Sequence, residues 1–183
     1  MYRDSPEWMV TANLLQAMYH RHPVRVDIAG TEESIAEIDA ALLRRCYERF
    51  YCPGNMVLSV AGCFEEETVL ELAERYFPTG KKAAEPLTAE EPKTVKTHYC
   101  DQKMPIATPI FQVGFKAEGG EKENMRHRLL DELLLDLICG ETTDLYRSLY
   151  EAGEINATFG SEVMAGRDFI CAMSVSYTHL RAH

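Results

Sequence analysis

The sequence has no CxxC pair, no apolar run near the ~18 to 20 residues of a membrane span, no basic excess and no basic-then-apolar leader. Each gap narrows the reading. Six cysteines (Cys46, Cys52, Cys63, Cys100, Cys139, Cys171) stand apart, several inside apolar runs where a thiol behaves as a small hydrophobe. They read as reduced, buried thiols of a cytoplasmic protein. A formal charge of −10, spread along the chain rather than gathered in a tail, argues against nucleic acid or an anionic membrane as a partner.

What is present is apolar material in helical and strand patterns. With 183 residues and 46% hydrophobic content, the chain suits one ordinary domain or two incomplete ones. Ser5-Pro6-Glu7 starts a helix that runs to about His20, with Trp8, Met9, Ala12, Leu15, Met18 and Tyr19 at helical spacing. Pro23 ends helical geometry, and residues 24–29 read as a short extended stretch or loop. Thr31 and Asp39 cap two further helices, the second carrying Leu42, Leu43, Cys46, Tyr47 and Phe50. After the Pro53-Gly54 turn, residues 56–62 form an apolar run bounded by breakers, the pattern of a buried strand. A helix over 65–77 follows.

Residues 78–94 change character, with Pro78, Pro86 and Pro92 among lysines and glutamates, and read as a linker between units 1–77 and 95–176. Beyond it come extended segments near 97–101 and 109–116 and a turn at Gly119-Gly120. The longest helix covers 121–139, its Met and Leu residues read as core, and Gly140 stops it. A helix over 144–151 and strands over 157–164 and 168–174 complete the pattern, which is that of an α+β protein with two related units.

No cluster of residues announces chemistry. His20-x-His22 lies near Asp27, Glu32 and Glu33, but zinc needs ligands converging at ~2 Å, and capping or hydrogen-bonding roles explain this nonspecific spacing more simply. Neither HExxH nor HxxEH occurs. Cys52 before Pro53 has no visible base to activate it. Glu65-Glu66-Glu67 opposes a helix dipole in its first turn. Asn156-Ala157-Thr158 fits a glycosylation triplet that a cytoplasmic chain does not use, and His98 and His127 have no partner in sequence.

Three stretches resemble the M16 (pitrilysin/insulinase-like) family of zinc metallopeptidases, most closely its small bacterial branch. Residues 19–35, from Tyr19-His20-Arg21-His22-Pro23 through Gly30 to Glu33-Ser34-Ile35, are similar to the family's HP…G…ESI segment. Residues 50–62, with Tyr51-Cys52-Pro53-Gly54-Asn55-Met56, are similar to its YxPxNMxLxVxGD segment, although Cys63 stands where an aspartate is common. Residues 132–153 resemble the opening helices of the family's second homologous domain.

The resemblance implies a LuxS/M16-like fold, with an antiparallel-rich sheet covered by helices in two incomplete homologous units. Residues 1–77 would be the latter part of the first unit and 95–176 the first part of the second, with 177–183 a non-native tail. In the family, two histidines and a glutamate hold zinc, and an HxxEH glutamate activates water. By this alignment all of them precede Met1, so no catalytic, cofactor-binding or metal-ligating residue is carried onto these positions. The resemblance further implies zinc and a peptide substrate for the intact parent and none for this segment. It also implies a homodimer, or a heterodimer with an M16-like paralogue, and the alternative of a noncatalytic scaffold subunit. Apolar faces left without their layer should be exposed and prone to aggregate.

Overall fold

The computed structural model describes residues 4–77, 85, 90–106, 109–117 and 124–176. By contact the chain forms two compact units, Met1–Ile28 with Thr88–His183, and Ala29–Leu87. The expected Gly119-Gly120 turn, most of the expected linker (78–84 and 86–89) and the 177–183 tail lie outside the described residues.

The first unit is built on three antiparallel strands, β1 (Phe111–Ala117), β2 (Gly160–Ala165) and β3 (Ile170–Ser176), in the order β1-β3-β2. β3 is central because its residues are apolar on both faces, so both must be covered. Helix α1 (Pro6–Met18) covers one face. Ser5 caps it through the Trp8 N–H, Pro6 and Glu7 suit its first turn, and Leu15, Met18 and the following Tyr19 pack against Cys171 and Met173. Gly114, paired with Met173, lets the helix approach: a Cβ there would stand 2.6 Å from Met18 Sδ.

Helix α5 (Asn124–Cys139) covers the other face, where Leu135 packs on Val163, Ile170 and Ala172. Its other large apolar residues correct the core reading. Leu129, Leu130, Leu133, Leu134 and Leu137 are all more than half exposed, because one helix laid on a narrow sheet buries a single stripe. Helix α6 (Asp144–Glu151) is capped by Thr143 and stopped before Gly153, whose φ of +73° suits glycine.

The second unit holds α2 (Glu32–Ala36) with a Thr31/Ser34 capping box, α3 (Ala40–Phe50) capped by Asp39, and α4 (Glu66–Tyr76). The caps fall where the sequence predicts them. The expected strand over 56–62 finds no strand partner among the described residues, and Val57 is 95% exposed. A strand exists only with a neighbour to take its backbone hydrogen bonds. Cys52 is the one buried apolar side chain among described residues 29–77.

Two smaller readings are also resolved. The segment expected as a short extended stretch or loop opens as a loop, with Pro23–Arg25 in a single 3-10 turn and the His22 ring accepting from the Val24 N–H. Of the six free cysteines, Cys52 and Cys171 are buried and Cys139 is half-buried, whereas Cys46, Cys63 and Cys100 are exposed. Cys46 lies on the apolar side of α3, whose Leu43, Tyr47 and Phe50 are also exposed, so its neighbours do not shield it.

Candidate functional site

Two places stand out, one in each unit. In the first unit the chain emerges from α1 at Tyr19 in extended geometry, which turns the next three amides away from the helix. They converge on one carboxylate: Glu91 accepts from the N–H of His20 at 2.7 Å, Arg21 at 2.7 Å and His22 at 2.8 Å. Lys116, pointing to the α1 face of β1, places Nζ 2.6 Å from Glu91 Oε1 and also donates to the Pro92 carbonyl. The same ammonium lies 4.8 Å from the centre of the Tyr19 ring, a cation–π contact.

Burial pushes the Glu91 carboxyl upward, but the Lys116 ammonium and the three amides outweigh it and hold the carboxyl down at about 2. Beside it, His22 is buried against Phe169 and Tyr19, with ring centres 4.9 and 5.6 Å away. Its Nδ1 accepts from Val24, so the ring proton sits on Nε2 and is donated to Asp168 Oδ1 at 2.9 Å.

Neither nucleophile-bearing side chain packed nearby is activated. Burial, then the charges of Cys171 and Glu91, raise Tyr19 well above the usual phenol range, and its hydroxyl donates to the Ile170 carbonyl. Burial first and Glu162 second push the Cys171 thiol up to about 12. The cluster therefore holds three segments together, and neither its phenol nor its thiol is activated.

The residues singled out in the sequence as a potential metal set do not come together as one. Both His22 nitrogens are engaged, and Asp27 accepts from Trp8 Nε1 at 3.2 Å. Among the described residues no three His, Cys, Asp or Glu side chains are placed to hold a metal ion. Sequence reasoning missed Glu91, Lys116 and Asp168. Glu91 sat inside a presumed linker, and only Lys116, a cation within an apolar strand, carried a signal.

In the second unit, an open apolar cavity of about 500 Å³ lies between the 56–62 segment and the end of α4, lined by Pro53, Met56, Val57, Leu58, Ala73 and Phe77, with Glu74 at its side. Its polar groups are too few to orient a reacting substrate.

Comparison with known proteins places this architecture. Residues 37–176 match the family described as "Peptidase M16 inactive domain". The chain is 36% identical over 176 residues to the uncharacterized zinc protease YmfH of Bacillus subtilis, covering 92% of this chain and 41% of that protein. It is 29% identical over 114 residues to a Schizosaccharomyces pombe protein named probable mitochondrial-processing peptidase subunit beta, covering 61% of this chain and 25% of that one. An M16-like peptidase from Alicyclobacillus acidocaldarius superposes with a TM-score of 0.77 at 34% identity, covering 97% of this chain and 44% of that one. The chain thus spans less than half the length of each.

Proposed function

This chain belongs to the M16 peptidase family, within the part described as its inactive domain, and on that premise we propose that it is the noncatalytic portion of a longer zinc-dependent metallopeptidase. The match over residues 37–176 carries this reading. In the proposed parent, residues outside these 183 hold zinc and activate water for attack on a peptide bond. This chain supplies the latter part of one homologous unit (1–77) and the first part of the next (95–176), walling a chamber for peptide substrates.

The donor set supports leaving the chemistry elsewhere. Zinc needs several free nitrogen, sulfur or carboxylate donors converging on one point, and the described residues hold no such group. Among the described residues no donor set fits the metal, and none of them is assigned a step of hydrolysis. What they offer is surface. Val57, Leu58, Leu70, Leu133 and Leu137 are exposed apolar side chains of the kind that a neighbouring layer covers.

A second reading is a noncatalytic subunit that completes the chamber of an active paralogue. It is favoured by the relative named as a subunit of mitochondrial-processing peptidase. The experiment expresses the whole parental reading frame, its M16-like partner and this 183-residue chain, and assays peptide cleavage by each alone and by the pair. Cleavage by the parent alone, with none by the chain, supports the first reading. Cleavage only by the pair supports the second, and cleavage by the 183-residue chain overturns both.

A further inference from the structure

The chain leaves the first compact unit after Ile28 and returns to it at Thr88, so the second unit is an insertion with two connections. At their roots, inside the first unit, stand His20–His22 on the way out and Glu91 on the way back. These are the residues joined by three amide–carboxylate hydrogen bonds. We propose that Glu91 and Lys116 form a clasp that pins the two connections of the 29–87 insertion to each other and to the sheet. This inference is independent of any peptidase activity.

The geometry is unusual for a helix end. A carboxylate at a helix C-terminus meets the negative end of the dipole, so it needs specific compensation to stay there. Here three successive N–H groups and one ammonium supply it, and each carboxylate oxygen is used: Oε1 by His20 and Lys116, Oε2 by Arg21 and His22. The ion pair is shielded, with the Lys116 side chain 8% and the Glu91 side chain 9% exposed. A shielded charge-assisted set of this kind is far stronger than a surface ion pair.

Neighbouring contacts extend the clasp without duplicating it. Lys116 also holds the Pro92 and Thr94 carbonyls, which fixes the returning connection just past Glu91. Arg25 Nη1 donates back to the His20 carbonyl at 3.0 Å and His22 holds Asp168, which fix the outgoing one. Closing a loop between residues 69 positions apart, His22 and Glu91, costs conformational entropy that these bonds offset.

The recognition is of an anion, and this gives the clasp a signature that packing alone lacks. A small free carboxylate can fill the cradle of amides and ammonium when Glu91 is shortened, but it has no chain attached and so holds nothing closed. The test compares the 183-residue chain with its Glu91→Ala variant, with and without formate, by amide hydrogen exchange and limited trypsin digestion. In Glu91→Ala the amides of His20, Arg21 and His22 should exchange about tenfold faster or more, and cleavage after Lys93 and Lys96 should accelerate. Amides of Met173 and Ser174 in β3 should keep their protection.

Formate should restore the three amides and leave the cleavage fast. If Glu91→Ala fails to fold, Glu91→Gln serves instead, because it keeps the shape and loses the charge; the three amides should again exchange faster. Unchanged exchange in a folded variant overturns the proposal. So does formate restoring both readouts, since the connections would then be held by something other than the tether.

Discussion

His22 Nε2 lies 2.9 Å from Asp168 Oδ1, which ties the loop after α1 to the turn between β2 and β3 across 146 residues of sequence. The ring is fixed from its other side by the Val24 N–H. His22→Leu removes both bonds and leaves a shielded N–H and a carboxylate without their partner, at a cost of about 2 kcal/mol. Asp168→Asn keeps an acceptor on a partly exposed side chain and should cost less than about 1 kcal/mol. Urea unfolding followed by circular dichroism measures both, and equal midpoints for the two variants would show that the pair is not what holds the ring.

Gly114 is small because α1 lies against it. A Cβ at this position meets Met18 Sδ at 2.6 Å and both Leu14 methyls at 3.0 Å, so Gly114→Ala should lower stability by about 1 to 2 kcal/mol and Gly114→Val by more. Met18 is 2% exposed and has little room to swing away. The coupling is specific: in a Met18→Ala background the added methyl has space, and the cost of Gly114→Ala should fall by half or more. Additive losses in the double variant would place the clash elsewhere.

The leucines of α5 look alike in sequence but stand in different surroundings. Leu135 is 6% exposed between α5 and β2/β3, and Leu135→Ala should cost about 3 kcal/mol. Leu133 is 57% exposed, and Leu133→Lys should change stability by less than about 0.5 kcal/mol while reducing aggregation and apolar-dye binding of the chain. Thermal melts and dye fluorescence read the two effects separately.

That contrast shows which parts of the fold the residues make legible. Local signals were sufficient where the cause is local: Ser5, Thr31 and Asp39 each cap the helix they precede. Burial is a different matter, because periodicity identifies an apolar face without saying what covers it. The stripe on α5 and the run at 56–62 both read as interior, yet both stand mostly exposed. The clasp was invisible for a related reason. Glu91 acquires its role from amides some 70 residues away, and nothing adjacent to Pro92 signals that.

The thiols should sort by burial. Cys46, Cys63 and Cys100 are exposed and should react with an aromatic disulfide reagent at rates near those of a free thiol at pH 8. Cys171 is fully buried, with its thiol pushed up to about 12 by burial, so it should label only on unfolding. Cys52 is 2% exposed and should also be slow. Mass spectrometry of partly labelled chain identifies the order, and early modification of Cys171 would contradict the packing of α1 on β3.

Acid should weaken the clasp as the Glu91 carboxyl takes up a proton. Glu91 is held at about 2, below its ordinary 4.5, because Lys116 and the amides of His20, Arg21 and His22 outweigh the burial that pushes it up. Between those values the unfolded chain binds a proton that the folded chain does not, so protonation favours unfolding. The stability due to Glu91 is therefore complete above about pH 4.5 and is lost as pH falls through about 2. The stability gap between the wild-type chain and Glu91→Gln should be widest at pH 6 and narrow steadily below pH 4.5. Lys116→Met removes the neighbouring cation and lets the Glu91 carboxyl rise toward its ordinary value, so in that background the narrowing should be smaller and should be complete at higher pH. Urea unfolding at a series of pH values measures the gap, and a gap independent of pH would mean that the Glu91 charge contributes nothing to holding the neck of the insertion.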